Sequence, residues 1–375
     1  MLISRSVHPL PGEAERRARF VSLVDAFNGR RVLIVGDLIA DEFIYGQVAR
    51  VSREAPVLIL QYDATEILPG GAGNAANNVA ALSGRAHLIG LTGGDEPGRR
   101  LVQSLRQRVQ ELDLVRPAGY VTPVKTRILA GGVHTAKQQV VRIDRQLSGD
   151  TPPRILAEVA RKALSASDRC DAVLVSDYGS GLVTPELVEK LRARLTRRSR
   201  RQPVPVLVDS RYDLLSYKSL TACTPNEAEV EHMLGVRIDD RLDVLERAGR
   251  QILRRTHMNA VFITRGSRGM TLFEPGRPTV HIPIFGSDQV ADVTGAGDTV
   301  IATVTLALAA GASFYEAARL ANYTGGLVVM KRGTATVSPA ELRDAIVADH
   351  QLATPDAERA AHSLEPRRGG GGPRH

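Results

Sequence analysis

The chain has 375 residues, of which 43% are hydrophobic and 24% are charged, the composition of a globular protein rather than of a disordered chain. Its formal net charge is +8, but it contains no Trp and only 4% aromatic residues, so stacking surfaces for single-stranded nucleic acid are scarce. The two cysteines, Cys170 and Cys223, lie far apart and outside any CxxC pattern, which excludes a disulfide framework and gives no sign of a thiolate metal site.

The sequence predicts one domain with an additional segment at each end. Residues 1–28 are predicted to form an Arg-rich polar leader that ends in a short helix, and residues 351–375, with four consecutive glycines, a flexible tail. The leader lacks the apolar run of a signal peptide, and the most apolar stretch, residues 299–312, is too short to span a bilayer. We therefore expect one domain over residues 29–350 in a soluble cytoplasmic protein that binds no membrane.

Short apolar runs alternate with helical patterns along this domain. The runs are rich in Leu or β-branched residues, and they predict strands at 31–35, 86–91, 172–176, 204–208 and 260–264. Helical patterns fall between them at 75–83, 98–108, 155–165, 227–234 and 242–254. This alternation predicts a doubly wound α/β fold with a mostly parallel central sheet, in which ligands lie at the carboxyl ends of the strands.

Two stretches depart from the alternation. Residues 43–65 and 124–144 are rich in Val, Ile and Thr and alternate weakly, which predicts antiparallel strand pairs rather than crossover helices. We expect these pairs to form a small sheet that covers a ligand site or pairs with another subunit.

Much of the positive charge lies in one run without an acidic residue. We interpret this run as the solvated end of an amphipathic helix that begins near Pro185. The alternative is a nucleic-acid-binding patch, but no zinc-finger or RNP-like pattern accompanies it, and we expect no nucleic-acid partner. The run consists of Arg192, Arg194, Arg197, Arg198, Arg200 and Arg201.

The strongest motif is DVTGAGD at residues 292–298, directly before an apolar helical pattern. Gly295 and Gly297 let the backbone approach a ligand closely, and N–H groups at a helix start, including that of Ala296, bind anions. Such donors suit a phosphoryl group in transfer, and Asp298 at the same place suits a general base. The alternative is that Asp298 only caps the helix. Because no Walker A motif occurs, the phosphate site is assigned to Gly295–Gly297.

A second glycine motif is GGAGN at residues 70–74, which opens the helix predicted over 75–83. Alone, such a cluster is as readily an ordinary turn. Together and in this order, the two motifs resemble the signatures of the ribokinase-like (PfkB) carbohydrate kinases. The resemblance implies a three-layer α/β/α sandwich with a small β-strand lid and a Mg-ATP-dependent sugar kinase with Asp298 as base. It also implies that Gly70, Gly71 and Asn74 bind the sugar.

Weaker patterns follow the order of the same family. Asn226-x-x-Glu229 resembles its element for magnesium and phosphate, which suits Mg²⁺ held through water; the alternative is an ordinary helix start after Pro225. Asp41 resembles the acidic residue that holds sugar hydroxyls, while Asp37 is interpreted as a brace for the turn. The resemblance assigns the nucleotide side to Thr264, Arg265, Gly266, Gly269, Thr294 and Asn322.

A closer resemblance within the family rests on residues 36–45, 52–57, 125–129, 138–144, 176–178 and 292–300. These stretches are most similar to the D-glycero-β-D-manno-heptose 7-phosphate kinases of lipopolysaccharide synthesis, and the similarity covers residues 31–347. The resemblance implies phosphorylation of O1 to give the 1,7-bisphosphate, and a homodimer through the lid. Arg53, Lys125 and Arg127 are candidate contacts for the existing phosphate; the alternative is that they are exposed strand charges.

Two departures from that branch stand out. Residues 210–212 read Ser-Arg-Tyr instead of Pro-Lys-Gly, and we expect a stand-alone kinase without a nucleotidyltransferase domain. Another sugar, sugar phosphate or nucleoside as acceptor remains an alternative, as does a non-catalytic regulator that binds a sugar phosphate.

Overall fold

The computed structural model describes residues 12–131, 137–145, 151–198, 203–286, 292–331 and 333–349. The predicted tail at 351–375 and the first eleven residues of the predicted leader lie outside these ranges. Among the described helices, none is long and apolar enough to cross a membrane.

The described elements alternate as the sequence predicts. The strands are β1 Arg31–Gly36, β2 Leu38–Val51, β3 Leu58–Gly71, β4 Arg85–Leu91, β5 Glu111–Val115, β6 Val124–Gly131, β7 Gln138–Arg145, β8 Ala172–Asp177, β9 Val206–Ser210, β10 Ala222–Cys223, β11 Ala260–Thr264, β12 Met270–Phe273 and β13 Val280–Ile282. The helices are α1 Glu13–Asp25, α2 Ala72–Ala81, α3 Glu96–Leu105, α4 Pro153–Ala166, α5 Pro185–Arg198, α6 Glu227–Leu234, α7 Leu242–Thr256, α8 Ala296–Ala309, α9 Phe314–Val328 and α10 Pro339–Ala348.

The main sheet runs in the order β13-β12-β11-β10-β9-β8-β1-β4-β5. Its strands are parallel from β11 to β5, and β12 and β13 add an antiparallel edge. Strand β1 shows why helices must cover both faces: Val32 and Ile34 lie in the core beneath α2 and α8, whereas Leu33 and Val35 lie in the core beneath α4 and α5. The predicted α/β/α sandwich with a mostly parallel sheet is confirmed.

Helix α1 belongs to this sandwich. Phe20, Leu23, Val24 and Phe27 are each at most 4% exposed and lie in the same core as α2 and α8. The sequence analysis assigned these residues to a leader outside the domain because Arg dominates the segment. The apolar residues at helical spacing form one buried stripe, so α1 is part of the folded domain.

The lid is a four-stranded sheet in the order β3-β2-β6-β7. Hairpins β2–β3 and β6–β7 are antiparallel, as predicted, and β2 pairs with β6 in parallel. The first hairpin begins at Leu38, earlier than the predicted residue 43, because β2 follows β1 after a single residue. The first six residues of β2 are almost all buried and its last four are exposed, so the hairpin leaves the core and projects over the carboxyl edge of the sheet.

The described part of the basic run lies at the end of α5. Arg192 pairs with Glu189 at 2.6 Å, and Arg194 pairs with Asp168 at 2.5 Å. These contacts confirm the interpretation of the run as the charged end of an amphipathic helix.

Candidate active site

The DVTGAGD turn is held in shape by its first residue. One Asp292 carboxylate oxygen accepts from the Thr294 N–H at 2.8 Å and the other from the Gly333 N–H at 3.1 Å. Gly295 then adopts a φ of 77°, and α8 begins at Ala296. Asp298 therefore lies in the first turn of α8, where it is 4% exposed.

The second glycine motif meets the first through one side chain. Gly71 has a φ of 55°, and α2 begins immediately after it, which brings Asn74 into the first helical turn. The Asn74 amide donates to Asp298 Oδ2 at 2.8 Å and to the Gly295 carbonyl at 3.3 Å. A Cβ atom on Gly295 would lie 2.5 Å from the Asn74 Nδ2 atom, so only glycine permits this approach.

Asn74 is itself fixed by a buried chain of hydrogen bonds. Asn78 Nδ2 donates to Asn74 Oδ1 at 3.1 Å, and Thr299 Oγ1 donates to Asn78 Oδ1 at 3.0 Å. Helices α2 and α8 are thus joined twice, and the amide that faces Asp298 has a single orientation.

The second oxygen of Asp298 is held by a residue that the sequence analysis did not assign to the site. The Tyr178 hydroxyl donates to Asp298 Oδ1 at 3.0 Å. Tyr178 directly follows β8, and its position at the carboxyl end of a predicted strand was the signal available in the sequence.

Burial raises the pKa of Asp298 to about 7, and the charge of Asp41 adds to the rise. The hydrogen bonds from Asn74 and Tyr178 and the charge of Lys125 oppose it, because they favour the ionised carboxylate. A carboxyl group that titrates near neutral pH is suited to accepting a proton from a hydroxyl.

Asp41 is brought to the same place by the start of the first lid hairpin. It is 6% exposed, and its Oδ1 atom lies 2.5 Å from Arg127 Nη1 on β6. A Cβ atom on Gly70 would overlap the Asp41 carboxylate, so this glycine is required by packing. Burial raises the pKa of Asp41, while Arg127 lowers it.

The three predicted phosphate contacts have different surroundings. Arg127 is bound to Asp41, and the Lys125 ammonium lies 4.8 Å from the centre of the Tyr178 ring. Arg53 lies in the exposed turn at the far end of the β2–β3 hairpin, about 30 Å from Asp41 by the rise per residue of a strand. Within one chain, the structure brings Lys125 and Arg127 near Asp298 but not Arg53.

Asp37 stabilises the turn after β1, as the sequence analysis interpreted it. Its Oδ2 atom accepts from the Tyr178 N–H at 2.8 Å and from the Ser180 N–H at 3.2 Å. The loop after β8 is therefore held against the start of the lid.

The predicted nucleotide side is an open cleft at the ends of β11 and α6. Its volume is about 500 Å³. Glycines with φ of 54° and 83°, Gly266 and Gly269, form the turn after β11, and Arg265 binds Glu227 at 2.7 Å. The lining residues are Asn226, Glu227, Ala228, Thr264, Arg265, Gly266, Ser267 and Arg268. Asn322 lies elsewhere on α9, where its amide donates to the Pro283 carbonyl at 2.8 Å.

Asn226 and Glu229 form a capping box at the start of α6. Asn226 Oδ1 accepts from the Glu229 N–H at 2.9 Å, and Glu229 Oε2 accepts from the Asn226 N–H at 3.0 Å. The helix-start interpretation is thus correct. It does not use Glu229 Oε1, so the pair fits a hydrated Mg²⁺, which keeps most of its waters and needs few protein oxygens. No three acidic, His or Cys side chains of the described residues cluster as a metal cage.

A second residue missed from the sequence is Arg211, which follows β9. Its backbone N–H donates to the Asp177 carbonyl at 3.0 Å, and the adjacent Tyr212 ring packs against Gly179. The positive charge of Arg211 lowers the pKa of both Lys125 on the lid and Glu229 at the start of α6. The Ser-Arg-Tyr departure is therefore close enough to influence both parts of the candidate site.

Comparisons with known proteins show which family and which solved structures this chain is similar to. The family model described as pfkB family carbohydrate kinase matches residues 30–341. Bifunctional protein HldE of Geobacter sulfurreducens is 40% identical over 312 residues, which are 83% of this chain and 61% of that protein. The HldE protein of Aeromonas hydrophila subsp. hydrophila is 38% identical over 330 residues, 87% of this chain and 65% of the relative. The chain thus spans less than two-thirds of the length of these relatives.

Two solved structures share the fold. Phosphofructokinase-2 from Escherichia coli, solved in complex with fructose-6-phosphate, superposes with a TM-score of 0.66 at 18% identity, covering 85% of this chain and 98% of that one. Ribokinase from Arabidopsis thaliana, solved with ribose and ATP, gives 0.64 at 19% identity, covering 87% of this chain and 99% of that one. These likenesses confirm the predicted ribokinase-like fold.

Proposed function

This chain belongs to the pfkB family of carbohydrate kinases, and we propose that it transfers the terminal phosphoryl group of ATP to O1 of D-glycero-β-D-manno-heptose 7-phosphate. The observation that carries the proposal is the buried Asp298 carboxylate, held by Asn74 and Tyr178 in the first turn of α8. The acceptor is inferred from the sequence resemblance to heptose 7-phosphate kinases, and the HldE relatives support it.

In the proposed reaction, Asp298 is the base. Its carboxylate takes the proton from the acceptor O1 hydroxyl as that oxygen bonds to the terminal phosphorus of ATP. The bond from phosphorus to the bridging oxygen breaks, ADP leaves, and the proton stays on Asp298 until water removes it. A pKa of about 7 keeps a large fraction of the carboxyl group ionised at neutral pH.

The turn before α8 supplies the electrostatic part of catalysis. Negative charge spreads over the equatorial oxygens of a phosphoryl group in transfer. The N–H groups of Gly295, Ala296 and Gly297 lie at the N-terminus of a 14-residue helix, where backbone donors and the helix dipole stabilise an anion. The Ala296 N–H also donates to the Val293 carbonyl at 3.3 Å, and this bond helps to fix the turn before the substrate binds.

The acceptor is proposed to lie between the lid and α2. Asp41 and Asn74 would hold sugar hydroxyls, with Gly70 and Gly71 giving the backbone close access. Lys125 is the lid cation best placed for the existing phosphate, because Arg127 is already bound to Asp41. Arg127 then acts mainly by orienting the Asp41 carboxylate. Arg53 could contact the phosphate only if it reached the site of a second subunit.

ATP is proposed to bind along the cleft beside α6. Thr264, Arg265, Gly266 and Gly269 form its wall, and Asn226 and Glu229 would hold Mg²⁺ through water. When bound, Mg²⁺ neutralises phosphate charge. The assignments of Thr294 and Asn322 to the nucleotide side remain proposals.

We also propose that the lid sheet joins two copies of the chain in the cytoplasm. Several large apolar side chains on β2, β3 and β7 are 40–64% exposed, and burying them would stabilise a dimer. Light scattering after chromatography should give twice the 40.4 kDa chain mass, and Ile143→Glu should shift it toward the monomer. These side chains are Val48, Val51, Leu58, Tyr62, Val140, Val141 and Ile143.

The acceptor is tested by measuring ADP release with five candidates: the heptose 7-phosphate, fructose 1-phosphate, fructose 6-phosphate, ribose and adenosine. We expect the highest kcat/KM with the heptose 7-phosphate, and a phosphorus NMR signal from a new anomeric phosphate. The Asp298→Asn variant gives the background rate. Turnover of unphosphorylated acceptors alone would exclude the heptose phosphate while leaving the kinase assignment intact.

A further inference from the structure

Tyr178 is held in place from three sides. Its backbone N–H donates to Asp37 Oδ2 at 2.8 Å, and one edge of its ring lies against Gly71, where an added Cβ atom would be 3.4 Å away. The Lys125 ammonium of lid strand β6 lies over the ring, 4.8 Å from its centre. The ring is therefore fixed by the start of the lid, the second glycine motif and a lid strand.

The hydroxyl of this fixed ring points at the base. It donates to Asp298 Oδ1 at 3.0 Å, while Asn74 donates to Oδ2 at 2.8 Å. Burial and the nearby carboxylates raise the pKa of Tyr178 well above its usual range, so the hydroxyl keeps its proton and remains a donor across the working pH range. Each carboxylate oxygen has a second lone pair, so the two donors leave the carboxylate able to accept a further hydrogen.

We propose that Tyr178 is a positioning residue for phosphoryl transfer: its hydroxyl orients the Asp298 carboxylate and keeps it ionised. This inference rests on the proposed role of Asp298 as base. Tyr178 touches neither phosphoryl donor nor acceptor in this proposal; it acts through Asp298. It also connects the lid to the base, because Lys125 rests on the same ring.

The pH dependence follows from the groups that face Asp298. Tyr178 after β8 and Asn74 on α2 donate to it; Asp41 on β2 and Asp209 on β9 add negative charge near it; Lys125 on β6 adds positive charge. A hydrogen bond to the ionised form lowers a carboxyl pKa, so removing the Tyr178 hydroxyl raises it. Since the base acts when ionised, activity should then require a higher pH.

The test compares Tyr178→Phe with the unaltered chain. We expect the acid limb of the kcat profile to move up by about one pH unit, the size of shift that one hydrogen bond to a charged group gives. Below the limb, this corresponds to a loss of kcat on the order of tenfold, with the KM of the acceptor changing less than about twofold. Carbon NMR of aspartate-labelled protein, assigned with Asp298→Asn, should show the same rise in pKa without any acceptor.

The matched control is Tyr217→Phe. Tyr217 is also a buried tyrosine that donates to an aspartate at this edge of the sheet, Asp177 Oδ2 at 2.8 Å, but it does not contact Asp298. The Tyr217→Phe variant should lower the midpoint of thermal unfolding without moving the acid limb of the kcat profile.

The outcomes separate the inference from the proposed function. The role of Tyr178 would be overturned if folded Tyr178→Phe showed the same acid limb of the kcat profile and the same Asp298 NMR titration as the unaltered chain. A uniform loss of kcat at every pH would overturn it as well. An active Asp298→Asn variant would instead remove Asp298 as base; the NMR titration would still report whether Tyr178 holds the carboxylate.

Discussion

The pocket around the proposed base and the proposed nucleotide cleft are built in different ways. In the pocket, Asp298 and Asn74 are at most 4% exposed, and each carboxylate oxygen has a donor from a different element. In the cleft, the polar side chains bind one another: Arg265 pairs with Glu227, and Asn226 caps α6 with Glu229. Proton transfer needs particular atoms at fixed positions, whereas a polyphosphate can be held by backbone donors and charge. Changes in the pocket should therefore affect kcat, and changes in the cleft the requirement for Mg-ATP.

Asp298→Asn is expected to have the largest effect, and that effect should be confined to the pocket. Losing the base should lower kcat on the order of a thousandfold or more, because general-base catalysis is removed and the positioning of the acceptor hydroxyl is altered. ATP affinity, measured by calorimetry, should stay within a few fold, since the cleft is untouched. Wild-type kcat in this variant would refute the assignment of the base.

Arg127→Ala should have the next largest effect. It leaves the Asp41 carboxylate buried without its partner, and breaking a buried ion pair costs about 3–5 kcal/mol of the free energy of unfolding. The KM of the acceptor should rise at least about tenfold as Asp41 loses its orientation. The control is Arg247→Ala, which breaks a pair whose side chains are 70% and 63% exposed and should cost less than about 1 kcal/mol. Equal losses in denaturant titrations would contradict the stabilising role of Arg127.

Gly295→Ala tests whether the contact between the two glycine motifs sets the pocket. The new Cβ atom would lie 2.5 Å from Asn74 Nδ2 at a φ of 77°, so we expect a loss of about 1–3 kcal/mol in unfolding free energy and a lower kcat. At Gly297 a Cβ atom meets nothing within 4 Å, so Gly297→Ala should leave the unfolding free energy unchanged or higher. A Gly295→Ala protein as stable as Gly297→Ala would show that the motifs are not tightly packed.

Glu229→Gln is expected to have the smallest effect, confined to the cleft. Glutamine retains the cap but removes the charge, so the Mg²⁺ concentration for half-maximal rate should rise about tenfold while kcat at saturation changes little. Glu341→Gln makes the same change in the capping box of α10, away from the cleft, and should leave the Mg²⁺ requirement unchanged. If both variants behave alike, Glu229 is only a helix cap.

In the main sheet, the strands that the sequence predicts are largely buried on both faces. The apolar run of β8 is buried along its whole length and needs no other signal. Strand β5 at the sheet edge, Glu111–Val115, was missed because it is half exposed and carries charges. Strands β12 and β13 are 4 and 3 residues long, too short for a period to be counted.

The residues of the candidate site also divide into those that the sequence indicated and those that it did not. Gly295, Asn74 and Asp298 were proposed for the site because they lie in two motifs that, in this order, resemble the signatures of the kinase family; the glycines alone would have been ordinary turns. Arg127 was a candidate phosphate contact, but its side chain binds Asp41, 86 residues away in the chain. The two residues meet because β2 pairs with β6 in parallel, although Arg127 itself lies opposite Phe43. Tyr178 was not assigned to the site, although it follows a predicted strand, because its contact with Asp298 depends on the path of the loop that Asp37 holds.

The hydrogen bonds between the two glycine motifs also determine when the pocket can form during synthesis of the chain. Asn74 lies 221 residues before Gly295 and 224 before Asp298 in the chain. A ribosome adding 5–20 residues per second leaves Asn74 without these partners for roughly 10 to 45 s. The pocket is therefore among the last parts of the domain that can assemble, and a nascent chain released before α8 contains the proposed acceptor side but lacks the proposed base.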